Sequence, residues 1–346
     1  MKERFEYIDM SRGLALLLVV VSHNGGVPFG GYYLMSYYIA VFFILSGLTY
    51  YPNKNKAIEK RFNQILIPYF GYNGFLLIVS IFLMILKNDF STRRIGQSIV
   101  GIIYSRNQIF PGGDVYMNIW NAPLWFLTAF FLTFCLVEYI SRIEGMKKFR
   151  LEIVCILLAV WYLFNKIPIL LPWSLDNVPI FAIFTYVAYW LKEPMKKVVG
   201  NTKLKVIIGL IFSIIYVIAC NLNGGINLSL RNYGDYTGND FVKAILLFVI
   251  CFGGAVLLIL LMSMIEKSTI ANKTLSFVGK HTIDYLAIHL LILDMVKYLL
   301  KLVGMEATEG ILFWIVIAIQ DFIMILCSTV WVLAKSKIKN GVCKCL

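Results

Sequence analysis

An aspartate, an arginine and a histidine stand in one apolar run near the start of this chain: Asp9, Arg12 and His23, within the stretch IDMSRGLALLLVVVSHN at residues 8–24. Between Arg12 and His23 there are only Leu, Ala and Val, apart from Gly13 and Ser22. Eleven steps of roughly 100° bring an α-helix back to within about 20° of its starting face, so Arg12 and His23 share a stripe and Asp9 falls on the same side. At roughly 1.5 Å per residue the two lie about 16 Å apart along the axis. Ionisable groups at membrane depth cost at least about 2.5 kcal/mol each on insertion scales, so they face protein or a water-filled passage. A guanidinium grips phosphate or carboxylate bidentately. An imidazole titrates near neutral pH and serves as general base or as covalent nucleophile, and the sequence leaves both routes open. Asp9, three residues before Arg12, is expected to orient it.

The elements that must position these groups are apolar. Of 346 residues 60% are hydrophobic and 15% charged, and the mean hydropathy is +0.77, far from the values of soluble domains. The chain is expected to be an all-α integral membrane protein with about ten transmembrane helices. They fall at residues 8–24, 32–51, 65–86, 123–141, 151–164, 178–191, 206–222, 242–264, 282–300 and 311–333. Of the 32 Lys and Arg, 23 lie in the N-terminal segment, the even-to-odd links and the tail, which places both termini in the cytoplasm. In a soluble chain a net charge of +13 would suggest nucleic acid; here these cations orient the helices and meet lipid headgroups, and no nucleic-acid partner is expected. There is no internal repeat and no signal-peptide cleavage pattern, so residues 1–346 read as a single membrane domain.

Seven cysteines are present, five of them inside apolar segments, where a thiol behaves as a small hydrophobe. Cys343 and Cys345 read as part of a plain tail, because two thiols with no neighbouring His cannot close a zinc site, and no metal is expected. The longest polar connection, 87–122, is long enough to fold over one end of the bundle. There Trp120 and Trp125 read either as interfacial belt residues or as a platform on which a sugar stacks, with Asp114 and Asn121 as hydrogen-bond partners. Arg231, Asp235 and Asp240 in the loop 223–240 read as contacts to a polymer or as solvated turn residues. The Gly-rich segment 24–31 breaks the first helix and reads as a surface turn or as backbone lining a cavity.

Arg12, ten residues and then His23 resembles the R-x10-H signature of the acyltransferase-3 family of membrane-bound acyltransferases. FFILSGLTYY at 42–51 is similar to the family's second helix, KRFNQILIPYF at 60–70 to the basic start of its third, and APLWFLTAFF at 122–131 to its Trp-Phe-Leu block. GKHTIDYLAIHLLI at 279–292 is similar to the late helix that carries a second histidine, here His289. The family often has Arg-x-x-Arg at the start of the third helix; this chain has Arg61 and then Gln64, with Lys60 as a second cation. Length and the loop NGGINLSLRNYGDY are most similar to the fucose 4-O-acetylase-like subgroup, which acts on bacterial surface polysaccharides.

The resemblance implies a multi-pass protein of the bacterial cytoplasmic membrane that moves an acetyl or other short acyl group. The donor would be cytosolic acyl-CoA, acetyl-CoA by default, and the acceptor a hydroxyl of a cell-surface or lipid-linked glycan. On that reading Arg12, Lys60 and Arg61 bind the donor and His23 acts on the hydroxyl. Asp114, Trp120, Asn121, Trp125 and His289 are the candidates on the acceptor side, His289 reading first as a packed hydrogen bonder. Within these residues there is no soluble domain, so the membrane domain is expected to finish the transfer or hand the group to a separate protein. Self-association is open. A small-solute transporter built on the polar face of the first helix is the competing function, and a non-catalytic partner of an assembly complex the third.

Overall fold

Short polar side chains and glycine set several of the helix ends. Asn239 accepts from the Phe241 amide at 2.7 Å, Asn201 from Leu204 at 3.2 Å and Ser91 from Arg94 at 3.3 Å, each satisfying a first-turn donor that has no partner inside its helix. Gly224, at φ 69°, closes another helix in the left-handed region, where a Cβ is costly.

The computed structural model describes residues 5–25, 31–52, 56–117, 120–143, 149–305 and 310–345. The helices are α1 (Glu6–Ser22), α2 (Tyr32–Met35), α3 (Tyr38–Leu48), α4 (Ala57–Arg61), α5 (Ile67–Leu86), α6 (Thr92–Tyr104), α7 (Trp125–Arg142) and α8 (Arg150–Asn165). They continue with α9 (Val178–Trp190), α10 (Lys192–Gly200), α11 (Thr202–Asn223), α12 (Asp240–Ile265), α13 (Thr269–Lys280), α14 (Thr282–Leu302) and α15 (Gly310–Cys345). A π-helical turn, Phe62–Leu66, joins α4 to α5. No strand forms among the described residues, only two isolated bridges.

Five stretches are long and apolar enough to cross a membrane: Ala57–Leu86, Ala122–Arg142, Thr202–Asn223, Asp240–Ile265 and Gly310–Lys337. Of the remaining apolar helices, α1, α3, α8 and α9 have 17 residues or fewer, and α14 is interrupted by Asp294 and Lys297. α7 and α12 form the interior, each with 67% of its apolar window buried, against 22% for α11 and 17% for α15. Ile78 and Phe82 on α5, Ile214 and Leu222 on α11, and Ile311 and Phe322 on α15 point outward, an apolar surface suited to hydrocarbon.

α1 runs through the middle, packed against α3, α12, α13 and α14. A Cβ built on Gly13 would strike the Leu275 carbonyl, and one built on Gly279 would strike the Asp9 carbonyl. Backbone therefore touches backbone where α1 crosses α13, as small residues permit in lipid, where apolar burial alone does not drive helices together. Gly47 meets the Thr185 carbonyl in the same way where α3 crosses α9.

Several polar links are more ordered than their sequence suggests. The 87–122 connection contains α6, which turns Ser98 and Gly101 inward and leaves Ile99 and Ile103 exposed, the arrangement of a helix lying in a membrane interface. α10 occupies the basic link after 191, α13 the one after 265, and α15 continues through the tail to Cys345. Residues 26–30 of the Gly-rich segment, and Lys54, lie outside the described residues.

Replacing Gly279 by Val is expected to destabilise the protein by about 1–3 kcal/mol through overpacking. Gly71→Ala, at a position with open space around it, should change little. Thermal unfolding of the purified proteins in detergent checks both.

Candidate active site

The stripe on α1 lines two cavities, one at each end. At its N-terminal end Ile8, Asp9 and Arg12 face a cavity of about 510 Å³, closed by Thr49, Lys60, Arg61, Gln64 and Lys192. Arg12 Nη1 donates to Asp9 Oδ1 at 3.3 Å and Nη2 to Thr49 Oγ1 at 3.4 Å. Asp9 is buried, so the guanidinium is held from behind and turned toward the cavity. Arg61 lies over the Phe134 ring at 5.0 Å, and Lys192 donates to the Tyr50 carbonyl at 3.3 Å while sitting 3.4 Å over the Tyr51 ring. Among the described residues four cations thus line this cavity beside one carboxylate, an arrangement that attracts a polyanion. The π-turn directly after Arg61 sets the register in which both Arg61 and Gln64 reach this wall; single π-turns inside α-helices often sit at functional sites.

At the other end Leu16, Val19, Ser22 and His23 face a second cavity, of about 400 Å³. The same two helices continue from the first cavity into it, α3 through Ile39 and Phe42 and α7 through Trp125 and Phe126. The 226–229 loop, with Asn227 and Ser229, forms the far wall. His23 caps α1 and is exposed to this space. Its Nδ1 is 2.7 Å from the Val19 carbonyl oxygen. A carbonyl only accepts, so Nδ1 carries the proton and Nε2 keeps a lone pair. The His289 ring stands edge-on to His23, centroids 5.1 Å apart and planes at 79°.

The four residues expected to bind a donor or support its binding, Asp9, Arg12, Lys60 and Arg61, therefore meet in one cavity, and His23 and Trp125 meet in the other. The other residues expected on the acceptor side do not line the His23 cavity. Trp120 donates to Asp294 at 2.6 Å and lines a separate groove with Asp89 and Arg94. Asn121 is buried, its amide donating to Asn73 Oδ1 at 2.8 Å. Asp114 lies exposed in the 105–117 segment and lines none of the described cavities. His289 is fully buried behind His23. Arg231, read as a polymer contact or a turn residue, is turned inward to the Phe164 and Ile167 carbonyls at 3.2 and 3.1 Å, and Asp240 pairs with Lys166 at 3.3 Å.

The group that composition and spacing do not reveal is the anchor of the far wall. Arg106 is 2% exposed; it pairs with the fully buried Asp176 and donates to the Ser229 carbonyl at 2.6 Å and the Leu171 carbonyl at 3.2 Å. Its guanidinium also lies 5.9 Å from the Trp125 ring centroid. Asn177 Nδ2 donates to the Leu228 carbonyl at 2.7 Å. Bonds between loops so far apart in the chain leave no periodic signal.

The described residues thus form a helical protein with a cationic cavity and an imidazole cavity on one face of α1. The chain matches the acyltransferase-3 family model, an acyltransferase domain, over residues 5–333. It belongs to that family and is a multi-pass membrane acyltransferase. No curated protein and no solved structure matches it.

Arg106→Met would leave Asp176 buried with only Arg231, 3.6 Å away, as counter-charge. The expected cost is about 3–5 kcal/mol, read as a fall in unfolding temperature relative to the wild type.

Proposed function

We propose that this acyltransferase moves an acetyl or other short acyl group from acyl-CoA in the cytosol to a hydroxyl of a cell-surface or lipid-linked glycan. The observation that carries the reading is the placement of a four-cation cavity and an exposed imidazole on one face of α1, about 16 Å apart. A phosphate-rich head with a long thioester arm requires those two features at about that spacing. Ten spans, α1, α3, α5, α7, α8, α9, α11, α12, α14 and α15, with cytoplasmic termini, put the cationic cavity on the donor's side, in keeping with the clustering of Lys and Arg in those links. Such a protein would reside in a bacterial cytoplasmic membrane, and the 223–236 loop favours the fucose 4-O-acetylase-like subgroup.

Arg12, Lys60 and Arg61 grip the phosphates, and Asp9 keeps Arg12 in place. His23 Nε2 takes the proton of the acceptor hydroxyl while its oxygen bonds to the thioester carbon. The carbon–sulfur bond then breaks, and the proton passes from Nε2 to the departing thiolate, leaving ester, free CoA and neutral imidazole. Trp125, in the wall of the His23 cavity, offers the acceptor sugar a ring to lie on.

Protein in liposomes supplied with radiolabelled acetyl-CoA and cell-wall glycan tests this. Wild type is expected to transfer label to glycan and His23→Ala to transfer none, at equal expression. Substantial transfer by His23→Ala, or none by wild type, overturns the reading. Arg12→Ala is expected to raise KM for acetyl-CoA about tenfold or more, the worth of a charge-assisted bond; an unchanged KM would reduce Arg12 to a structural partner of Asp9.

A further inference from the structure

His289 makes an arrangement that packing alone does not account for. Its Nδ1 lies 2.9 Å from the Leu286 carbonyl oxygen and 3.2 Å from that of Tyr285, so this nitrogen carries the ring proton and Nε2 holds a lone pair. The side chain is completely buried, and Nε2 has no hydrogen-bond partner among the described residues. A buried acceptor without a donor costs free energy. The neighbouring ring is His23, whose own Nδ1 is committed in the same manner to Val19. On α15, Asp321 accepts from Asn24 at 3.0 Å and Thr329 is 2.6 Å from the Tyr285 hydroxyl, while the buried Ser328 hydroxyl has no hydrogen-bond partner among the described residues.

Two imidazoles therefore stand 5.1 Å apart in the same tautomer, each with its lone pair on Nε2. Like charges so close disfavour one another, so the pair accepts at most one proton beyond those already on the two Nδ1 atoms. Resting on the acyl-transfer reading above, we infer that His289 is the positioning residue of a two-imidazole unit and accepts the hydrogen bond of His23 once His23 has taken the proton of the acceptor hydroxyl. Before the proton arrives, His289 has an unsatisfied acceptor and His23 an unprotonated Nε2. Once it arrives, the His23 imidazolium supplies the donor that His289 lacks. When the proton leaves for the thiolate, both rings return to the neutral state. The buried lone pair thus favours the charged state that appears only during the reaction, which is how a preorganised group lowers a barrier without tightening ground-state binding.

Two isosteric replacements separate this role from packing. His289→Asn places its amide nitrogen near the Nδ1 position, keeping the bond to Leu286, and has nothing at Nε2. His289→Gln places its amide oxygen near Nε2, keeping an acceptor for His23. In liposomes with radiolabelled acetyl-CoA and a fixed amount of cell-wall glycan, His289→Asn is expected to lower kcat about 10²-fold or more, with KM for acetyl-CoA within about twofold of wild type. His289→Gln is expected to stay within about tenfold of wild-type kcat. Wild-type kcat in His289→Asn, or equal losses in both variants with a lower unfolding temperature, overturns the inference while the contrast between wild type and His23→Ala still stands. Should His289→Asn fail to fold, the Gln variant decides alone, and a loss beyond tenfold overturns it. A wild type that transfers no label removes the acyl-transfer reading and this inference together.

Discussion

Everything in this protein depends on keeping a charged stripe out of lipid. α1 carries a carboxylate, a guanidinium and an imidazole along an otherwise aliphatic helix, and such groups are tolerated at membrane depth only when protein surrounds them or water reaches them. The glycine contacts at Gly13 and Gly279 let α13 come up against the α1 backbone, and α3, α12 and α14 close around the rest. The face left open is the one that lines the two cavities.

Because α3 runs back alongside α1, the two cavities are bounded by opposite ends of the same helices. Arg12 meets Thr49 at the C-terminal end of α3, while the His23 cavity reaches Ile39 near its beginning. That register separates the cationic cavity from the imidazole cavity by about three helical turns. It also explains why the far wall needs Arg106 and Asp176. A loop that closes a cavity has no ladder of its own to hold it, and a paired, fully hydrogen-bonded charge is a specific, if costly, way to fix one conformation.

The helices and the stripe were legible in the sequence because both follow from periodicity. Every apolar stretch read there contains a helix here, and Asp9, Arg12, Lys60 and Arg61 line one cavity. The loops were less legible. Trp120, Asn121, Asp114 and Trp125 lie within a dozen residues of each other, yet only Trp125 faces His23, because the turn at Ala122–Leu124 starts a new helix and Asn121 is bonded to Asn73. α6, α10 and α13 were hidden by the charges they carry, which mark a link when read as composition and an amphipathic helix when read as a pattern. The meeting of His23 with His289 joins residues far apart in the chain, and no local spacing encodes it.

The last helix carries a consequence of its length. α15 has 36 residues, about 54 Å at the usual rise, while a hydrocarbon core about 30 Å thick takes up only about 39 Å of helix even at a 40° tilt. At least about 15 Å of it must therefore stand in headgroups or water. Its last three turns are rich in lysine, with Lys335, Lys337, Lys339 and Lys344, a composition suited to anionic headgroups. Lys335 is also bonded to Asp284 and Tyr72, at 2.5 and 2.8 Å, near the start of the helix that carries His289. One helix thus joins the part that must leave the hydrocarbon to the start of α14, so a length set by the bilayer also bears on how α14 is held.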